Sequence, residues 1–172
     1  MVVDGCRITF KSKLSSFTKE VDRVINKWLE ESAGELEGKI SELSRVDTGQ
    51  TKGSYHHVVD TNTKTAYIGS DLQNAVWEEF GTGEYALDGN GRKGYWVYVK
   101  GSDGTYASES PKRYYTKEEA IQIMAILRSK GLEAYYTNGK TPNRPIFRAF
   151  NEKEQKIVNR IRYLLKNMEI EI

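Results

Sequence analysis

The sequence is poor in cysteine and histidine, with Cys6 as its single cysteine and His56 and His57 as its two histidines. One cysteine cannot close an internal disulfide, and the first residues lack the basic start and apolar run of a secretory signal. Synthesis in a reducing, cytoplasmic compartment is therefore expected. Metal sites need several converging ligands, and adjacent histidines on a strand point to opposite faces. Neither a metal site nor a cofactor is predicted.

Long hydrophobic runs are also missing. No stretch approaches the roughly 18 uninterrupted apolar residues that a membrane helix requires, and the mean hydropathy is -0.65. The chain has 172 residues, of which 38% are hydrophobic. That is enough apolar material for one full core but hardly for two. The prediction is a soluble protein with no membrane partner, folded as a single domain over residues 1–172.

The net charge of +2 is too small to make nucleic acid the expected main partner. Its distribution is uneven, because residues 1–83 contain 10 Lys and Arg against 13 Asp and Glu, and residues 84–172 contain 16 against 11. Such an uneven distribution of charge has two interpretations. It can orient one subunit against the next in an assembly, or it can be an ordinary feature of a surface, which is the preferred interpretation.

Hydrophobic periodicity predicts two long helices. Apolar residues recur every three or four positions from Leu14 to Ser44, and a second stripe follows Pro145 and continues to Met168. At 1.5 Å per residue the first helix would be roughly 45 Å long. A helix of this length rarely finds full cover within one small domain, which favours a chain that completes its burial in an assembly.

Strand patterns separate these helices. Runs of apolar, β-branched and aromatic residues predict strands at 54–59, 65–69, 95–99, 105–107 and 132–137. Thr116 and Glu119 form a capping-box pattern before a short helix, so a β-α-β excursion is expected there. The predicted fold is α+β, with the long N-terminal helix and the C-terminal helix packed on a mixed, mostly antiparallel sheet.

The segment from Leu72 to Gly83 predicts a short helix followed by glycines. Leu72, Val76 and Phe80 are four residues apart and would share one face of that helix, which is predicted to be buried. Gly81 follows the last apolar residue, where a positive φ angle costs a glycine least, and Gly83 frees the next turn.

Glu78 and Glu79 are the nearest approach to a catalytic pair. Adjacent helical residues diverge by about 100 degrees, so the two carboxylates are not expected to flank a scissile bond. One of them is expected to bond the loop that follows this helix. A hydrolase built on Glu78, Glu79 and a histidine would need these groups to converge in one pocket, and the preferred prediction is a protein that is not an enzyme.

Aromatic and basic residues alternate in the predicted hairpin at 92–106. Tyr95, Trp96 and Tyr98 lie among Arg92 and Lys100, a pattern found in platforms for single-stranded nucleic acid. A hairpin that packs its aromatic rings across strands or against a neighbouring subunit has the same pattern. The second interpretation is preferred, and a nucleic-acid-binding module that uses residues 92–106 is the alternative.

Three short motifs follow one another along the chain. The first is Val-Asp-Thr-Gly at 46–49 with Ser54, the second is the stretch 75–83 with its Glu-Phe-Gly-Thr-Gly, and the third is Pro-Ile-Phe-Arg-Ala at 145–149. In this order, after a long first helix, they resemble the head-to-tail joining or tail-completion proteins of long-tailed bacteriophages. Residues 96–106 are similar to the variable hairpin of that family, and residues 107–131 would be an insertion. The residues expected to matter for assembly are Asp47, Thr48, Gly49, Ser54, Ala75, Glu79, Phe80, Gly81, Thr82, Gly83, Trp96, Pro145 and Phe147.

The resemblance implies a structural virion protein, made in the cytoplasm of a bacterial host, at the neck or tail end of the particle. It implies a homo-oligomeric ring, with a hexamer as the first expectation, that lets DNA pass without reading its sequence. The implied partners are further copies of the chain, a head-side connector or stopper protein, and the tail-tube protein. It implies no catalysis. Residues 84–106 are expected to contact neighbouring subunits or partner rings.

Overall fold

The structure is a computed structural model that describes residues 14–46, 49–101, 106–108 and 114–168. Helices and strands alternate along these residues, which confirms the predicted α+β class. The helices are α1 (Leu14–Leu43), α2 (Gln73–Phe80), α3 (Lys117–Ser129) and α4 (Pro145–Lys166). The strands are β1 (Tyr55–Asp60), β2 (Thr65–Ser70), β3 (Trp96–Lys100), β4 (Tyr106–Ser108) and β5 (Ala134–Thr137). No helix among the described residues is long and apolar enough to cross a membrane.

Helices α1 and α4 pack along each other and form the larger core. Leu36 and Ile40 of α1 are buried together with Ala149 and Ile157 of α4. The Trp28 indole nitrogen donates a hydrogen bond to the Ile157 carbonyl at 2.9 Å, which fixes the two helices relative to each other. Both helices were predicted from apolar periodicity, and Pro145 is the first residue of α4 as expected.

The antiparallel hairpin β1–β2 covers another part of α1. Val58 is paired with Tyr67 in its register. Tyr55 of β1 is buried in the α1–α4 core, and Ile68 of β2 packs against that core. Because side chains alternate along a strand, Val58 and Tyr67 point away from α1 and are exposed.

A second antiparallel sheet, with strand order β4-β3-β5, has its own helix and its own core. Val97, Ala120 and Ala134 are buried between this sheet and α3. The excursion contains α3 and β5 as predicted, but the strand before α3 is reduced to a single bridge between Tyr95 and Tyr115. The described strands therefore form two antiparallel sheets instead of one mixed sheet, since each sheet packs on a different helix.

Charges of opposite sign meet between α1 and α4. Glu35 accepts hydrogen bonds from Lys153 at 3.0 Å and Lys156 at 2.7 Å, and it also pairs with Arg160. The hydrogen bonds from Lys156, Arg160 and Lys153 lower the pKa of Glu35 to about 2. Part of the charge difference between the two halves of the sequence is therefore compensated by ion pairs within the chain.

Candidate assembly site

Helix α2 turns its polar face inward and its apolar face outward. Ala75, Glu78 and Glu79 are buried, whereas Val76 is 53% exposed and Phe80 is 51% exposed. The prediction that Val76 and Phe80 would be buried is therefore wrong. The four-residue spacing correctly placed them on one face, but the opposite face is buried because its two carboxylates have specific partners inside the protein.

Glu78 joins the end of α1 to the segment before α4. Its carboxylate accepts hydrogen bonds from the backbone N–H of Arg45 at 2.6 Å and from the side-chain amide of Asn143 at 2.9 Å. The same amide donates to the carbonyl of Leu43 at 2.8 Å, which satisfies a carbonyl at the end of α1. Lys140 lies 3.8 Å from the carboxylate, so the buried charge has a cation nearby.

Glu79 caps α4 from outside that helix. Its two carboxylate oxygens accept from the backbone N–H groups of Ile146 at 2.8 Å and Phe147 at 3.1 Å. Arg144, the residue in the capping position, has a left-handed backbone and makes no side-chain cap. A carboxylate at a helix N-terminus binds amides that would otherwise have no partner and interacts favourably with the helix dipole.

The Gly-Thr-Gly end of the second motif lies against the turn at 138–140. Thr82 donates its N–H to the Lys140 carbonyl at 2.9 Å, and its hydroxyl accepts from the Lys140 N–H at 2.9 Å. Gly81 and Gly83 both have positive φ angles, as predicted. A Cβ on Gly83 would lie 2.2 Å from the carbonyl oxygen of Asn138, so only glycine fits. We call the segments 81–84 and 138–140 together the strap.

The first and third motifs are only partly described. Asp47 and Thr48 lie outside the described residues. Gly49 has a φ of +82°, as its place in a turn predicted. The Ser54 hydroxyl lies 2.5 Å from that of Ser70, at the end of β2 that leads into α2. In the third motif Pro145 is fully buried and Phe147 is exposed beneath the guanidinium of Arg144.

Trp96 lies where the second sheet meets the strap. Its ring approaches Gly83 closely, and the Arg92 guanidinium lies 4.9 Å from the ring centroid. Two residues along β3, Tyr98 stacks on Tyr135 of β5 with 5.6 Å between ring centroids. The rings of Tyr98 and Tyr135 thus pack across two neighbouring strands. They also leave a half-buried aromatic face on the side of the sheet away from α3.

The two histidines lie on opposite faces of β1, and the described structure does not bring them to Glu78 or Glu79. His57 contacts Glu37 at 2.5 Å and Glu30 at 3.3 Å, both on α1. The hydrogen bond that the His57 ring donates to the Glu37 carboxylate is the main reason that the pKa of His57 is raised. Among the described residues, no group of three or more His, Cys, Asp or Glu side chains is arranged to hold a metal ion.

Sequence reasoning missed Asn143 and the backbone of Arg45, which complete the partners of Glu78. Asn143 is separated from Glu78 by 65 residues, and no local pattern marks such a contact. One signal was present. Two adjacent glutamates in a short amphipathic helix each need partners, but the expectation that one of them bonds the following loop is wrong. Glu78 bonds Arg45 and Asn143, and Glu79 binds the start of α4.

Exposed apolar side chains collect around α2 and the start of α4. The Leu87 N–H donates to the Phe80 carbonyl at 3.0 Å, which places Leu87 beside the end of α2. Glu79 brings Phe147 to the same place. We call this exposed set the α2–α4 patch, and its members are Val76, Trp77, Phe80, Tyr85, Leu87, Phe147 and Phe150.

Comparison with protein families identifies a family for this chain. Residues 8–100 match the family described as Bacteriophage HK97-gp10, putative tail-component, which is more than half of the chain. The chain belongs to the HK97-gp10-like family. It is a structural component of a phage tail. Comparisons with curated proteins and with solved structures give no match.

The part of the chain that matches the HK97-gp10-like family contains α1, the β1–β2 hairpin, α2 and β3. Two of the three motifs therefore lie inside the match, and the Pro145 motif lies beyond it. The part of the chain inside the match contacts the part beyond it, because Glu78 and Glu79 contact Asn143 and the first turn of α4.

Proposed function

We propose that this HK97-gp10-like chain is a tail-completion subunit that forms a ring joining the phage tail to the head. DNA passes through the ring, and a hexamer is the first expectation for its size. Its partners are further copies of itself, the head-side connector or stopper protein, and the tail-tube protein. The chain contributes shape and contact surface to the neck of the virion and no chemical step.

The observation that carries this proposal is the outward apolar face of α2. A short helix whose carboxylates are bonded inside and whose Val76, Trp77 and Phe80 face solvent has an unsatisfied surface. Contiguous exposed apolar patches of this kind mark protein–protein contact sites. A subunit whose exposed apolar surface is covered by neighbouring subunits has this property. Membership of a tail-component family supports this interpretation.

The joint around Glu78 and Glu79 supports a structural role for the second motif. Each carboxylate is bonded to backbone N–H groups or to Asn143, so neither is aimed at an open site where a substrate could reach it. The motif fixes α1, α2 and α4 relative to one another. We propose that its residues matter for assembly because they hold the α2–α4 patch in place.

The test is complementation in lysates of a phage whose copy of this gene carries a stop codon. Finished heads and finished tails should accumulate apart, and purified protein added to the lysate should convert them to joined particles counted by electron microscopy. Joined, infectious particles in the absence of the protein would contradict the proposal. So would a lysate that lacks tails altogether, because that result indicates an earlier step of tail assembly.

The alternative is a nucleic-acid-binding module, and the aromatic face of β3 and β5 is the observation in its favour. Trp96, Tyr98 and Tyr135 share that face, with Arg92 and Arg128 above the rings. Stacking platforms for single strands combine rings and cations in this way. Filter binding of single-stranded DNA that weakens steeply with salt would support this alternative over the ring.

A further inference from the structure

We propose that the α2–α4 patch docks on a second copy of this chain, against the outward face of its β1–β2 hairpin. This inference rests on the proposed function, since it names the surfaces through which one subunit of the ring meets the next. The two surfaces share no residue. Contact between two different surfaces of identical chains can repeat from copy to copy and close into a ring.

The size of the patch suits a subunit interface. Its seven large side chains are each roughly half exposed. Large aromatic side chains contribute about 150–250 Å² when fully covered, so the patch offers on the order of 600 Å² of apolar area. Specific interfaces begin at about 600 Å² per partner, and the largest patches on monomeric proteins are seldom bigger than this. The patch alone nearly reaches the size that a stable contact requires.

The hairpin offers a complementary apolar surface on a separate element. Val58 is 59% exposed and Tyr67 is 62% exposed, and the two residues are directly opposite each other in the β1–β2 register. A cross-strand pair of this kind makes a flat apolar ridge on the outward face of the hairpin. A ring of identical subunits that pairs the patch with this ridge covers both surfaces at once.

Charge at the edges of the two surfaces agrees with this pairing. A cation lies at the patch, since the Arg144 guanidinium lies 3.7 Å from the centroid of the Phe147 ring. The outward face of the hairpin ends at Asp60, whose carboxylate is held by the Thr63 hydroxyl at 2.8 Å. Opposite charges at the rim of an interface set its orientation and suppress wrong pairings.

Disulfide trapping between two differently tagged chains tests the pairing. Both chains carry Cys6→Ser, one carries Val76→Cys and the other carries Tyr67→Cys. Mild oxidation of the mixture should give mainly the mixed dimer, and a chain with both substitutions should give a ladder of covalent oligomers that ends in a closed ring. The matched control pairs Val76→Cys with Ile126→Cys, because Ile126 is 55% exposed on α3. That mixture should not cross-link above background.

A second measurement uses other variants, so that a change of fold in the cysteine variants does not decide the test. Val76→Glu with Phe150→Glu should abolish self-association in light scattering and leave the far-ultraviolet circular dichroism unchanged, whereas Ile126→Glu should change neither. Cross-linking equal to the control, or full self-association of the double glutamate variant, would overturn the inference. If the same double variant still joins heads to tails, this interface is wrong and the proposed function stands. If wild-type protein fails in that assay, the proposed function itself is wrong.

Discussion

Glu79 shows how much of this fold depends on single polar contacts between distant residues. It stands where a capping side chain of α4 would stand, although it belongs to α2 and precedes Phe147 by 68 residues. Its partner amides are satisfied only while α2 and α4 are packed together. A side chain with this role couples the formation of one helix to the position of another.

Glu79→Ala should lower the free energy of unfolding by about 2 kcal/mol, because two buried N–H groups lose a charged acceptor. Urea or guanidinium denaturation followed by circular dichroism measures the loss. Glu154→Ala, an exposed position on the same α4, should change the free energy by less than about 0.5 kcal/mol. Equal effects of the two substitutions would show that Glu79 is not a cap.

Glu35 should make the protein sensitive to acid. Its pKa of about 2 is lower than its value in the unfolded chain, so its contribution is complete above about pH 4.5 and is lost as the pH falls toward 2. That contribution is on the order of 2 kcal/mol, reduced because Lys156 is largely exposed and its share is screened. Glu35→Gln should flatten the dependence of unfolding free energy on pH below about 4.5, and an unchanged slope would contradict this account.

At the scale of elements, the strap holds the two sheets and the helices together. Gly83 and Gly139 approach each other so closely that neither has room for a side chain. Thr82 and Lys140 exchange hydrogen bonds across this contact. The strap is therefore the place where the second sheet and α3 are attached to the α1–α4 core.

Gly83→Ala should destabilise the protein by more than about 2 kcal/mol, because a Cβ there meets backbone atoms and the φ angle is +62°. Gly89→Ala is the matched control, since its φ is +68° but its Cβ would meet nothing within 4 Å. That control should lose only about 1 kcal/mol, the cost of the backbone conformation alone. Thermal unfolding of both variants separates crowding from backbone strain, and similar losses would argue against the close approach at the strap.

The hairpin β1–β2 is attached to α1 in part through His57. The pKa of the His57 ring is raised by Glu37 and, to a smaller extent, by Glu30. The resulting stabilisation is fully present below the unfolded pKa of about 6.5 and is lost as the pH rises through the higher folded pKa. The melting temperature of wild-type protein relative to His57→Gln should therefore fall as the pH rises above about 6.5. A difference that is constant over this range would exclude the contact as a source of stability.

For the whole molecule, the sequence predicted elements better than their arrangement. Periodicity located α1 and α4 because each buries a continuous apolar stripe, and the capping box at Thr116 and Glu119 is present as predicted. The buried face of α2 was predicted wrongly because apolar spacing identifies a face but does not say which face has internal partners. Those partners, such as Asn143, are distant in sequence.

The division into two sheets was missed for a related reason. Strand patterns at 95–99 and 132–137 do not state which helix will cover them, and the core around Val97 and Ala120 forms only once α3 folds over β3. The three motifs could be recognised in the sequence, but the contacts of Glu78 with Arg45 and Asn143 could not. Each contact there joins residues that are more than 30 positions apart.

The ring proposed for this HK97-gp10-like tail component is the property to test first. Its most direct test is the mass of the purified protein in solution over a concentration series, by light scattering after size exclusion. We expect a discrete ring, or a monomer that converts to one ring size as concentration rises. A strict monomer over the whole series that instead binds single-stranded DNA in a salt-sensitive way would contradict it and favour the nucleic-acid-binding module.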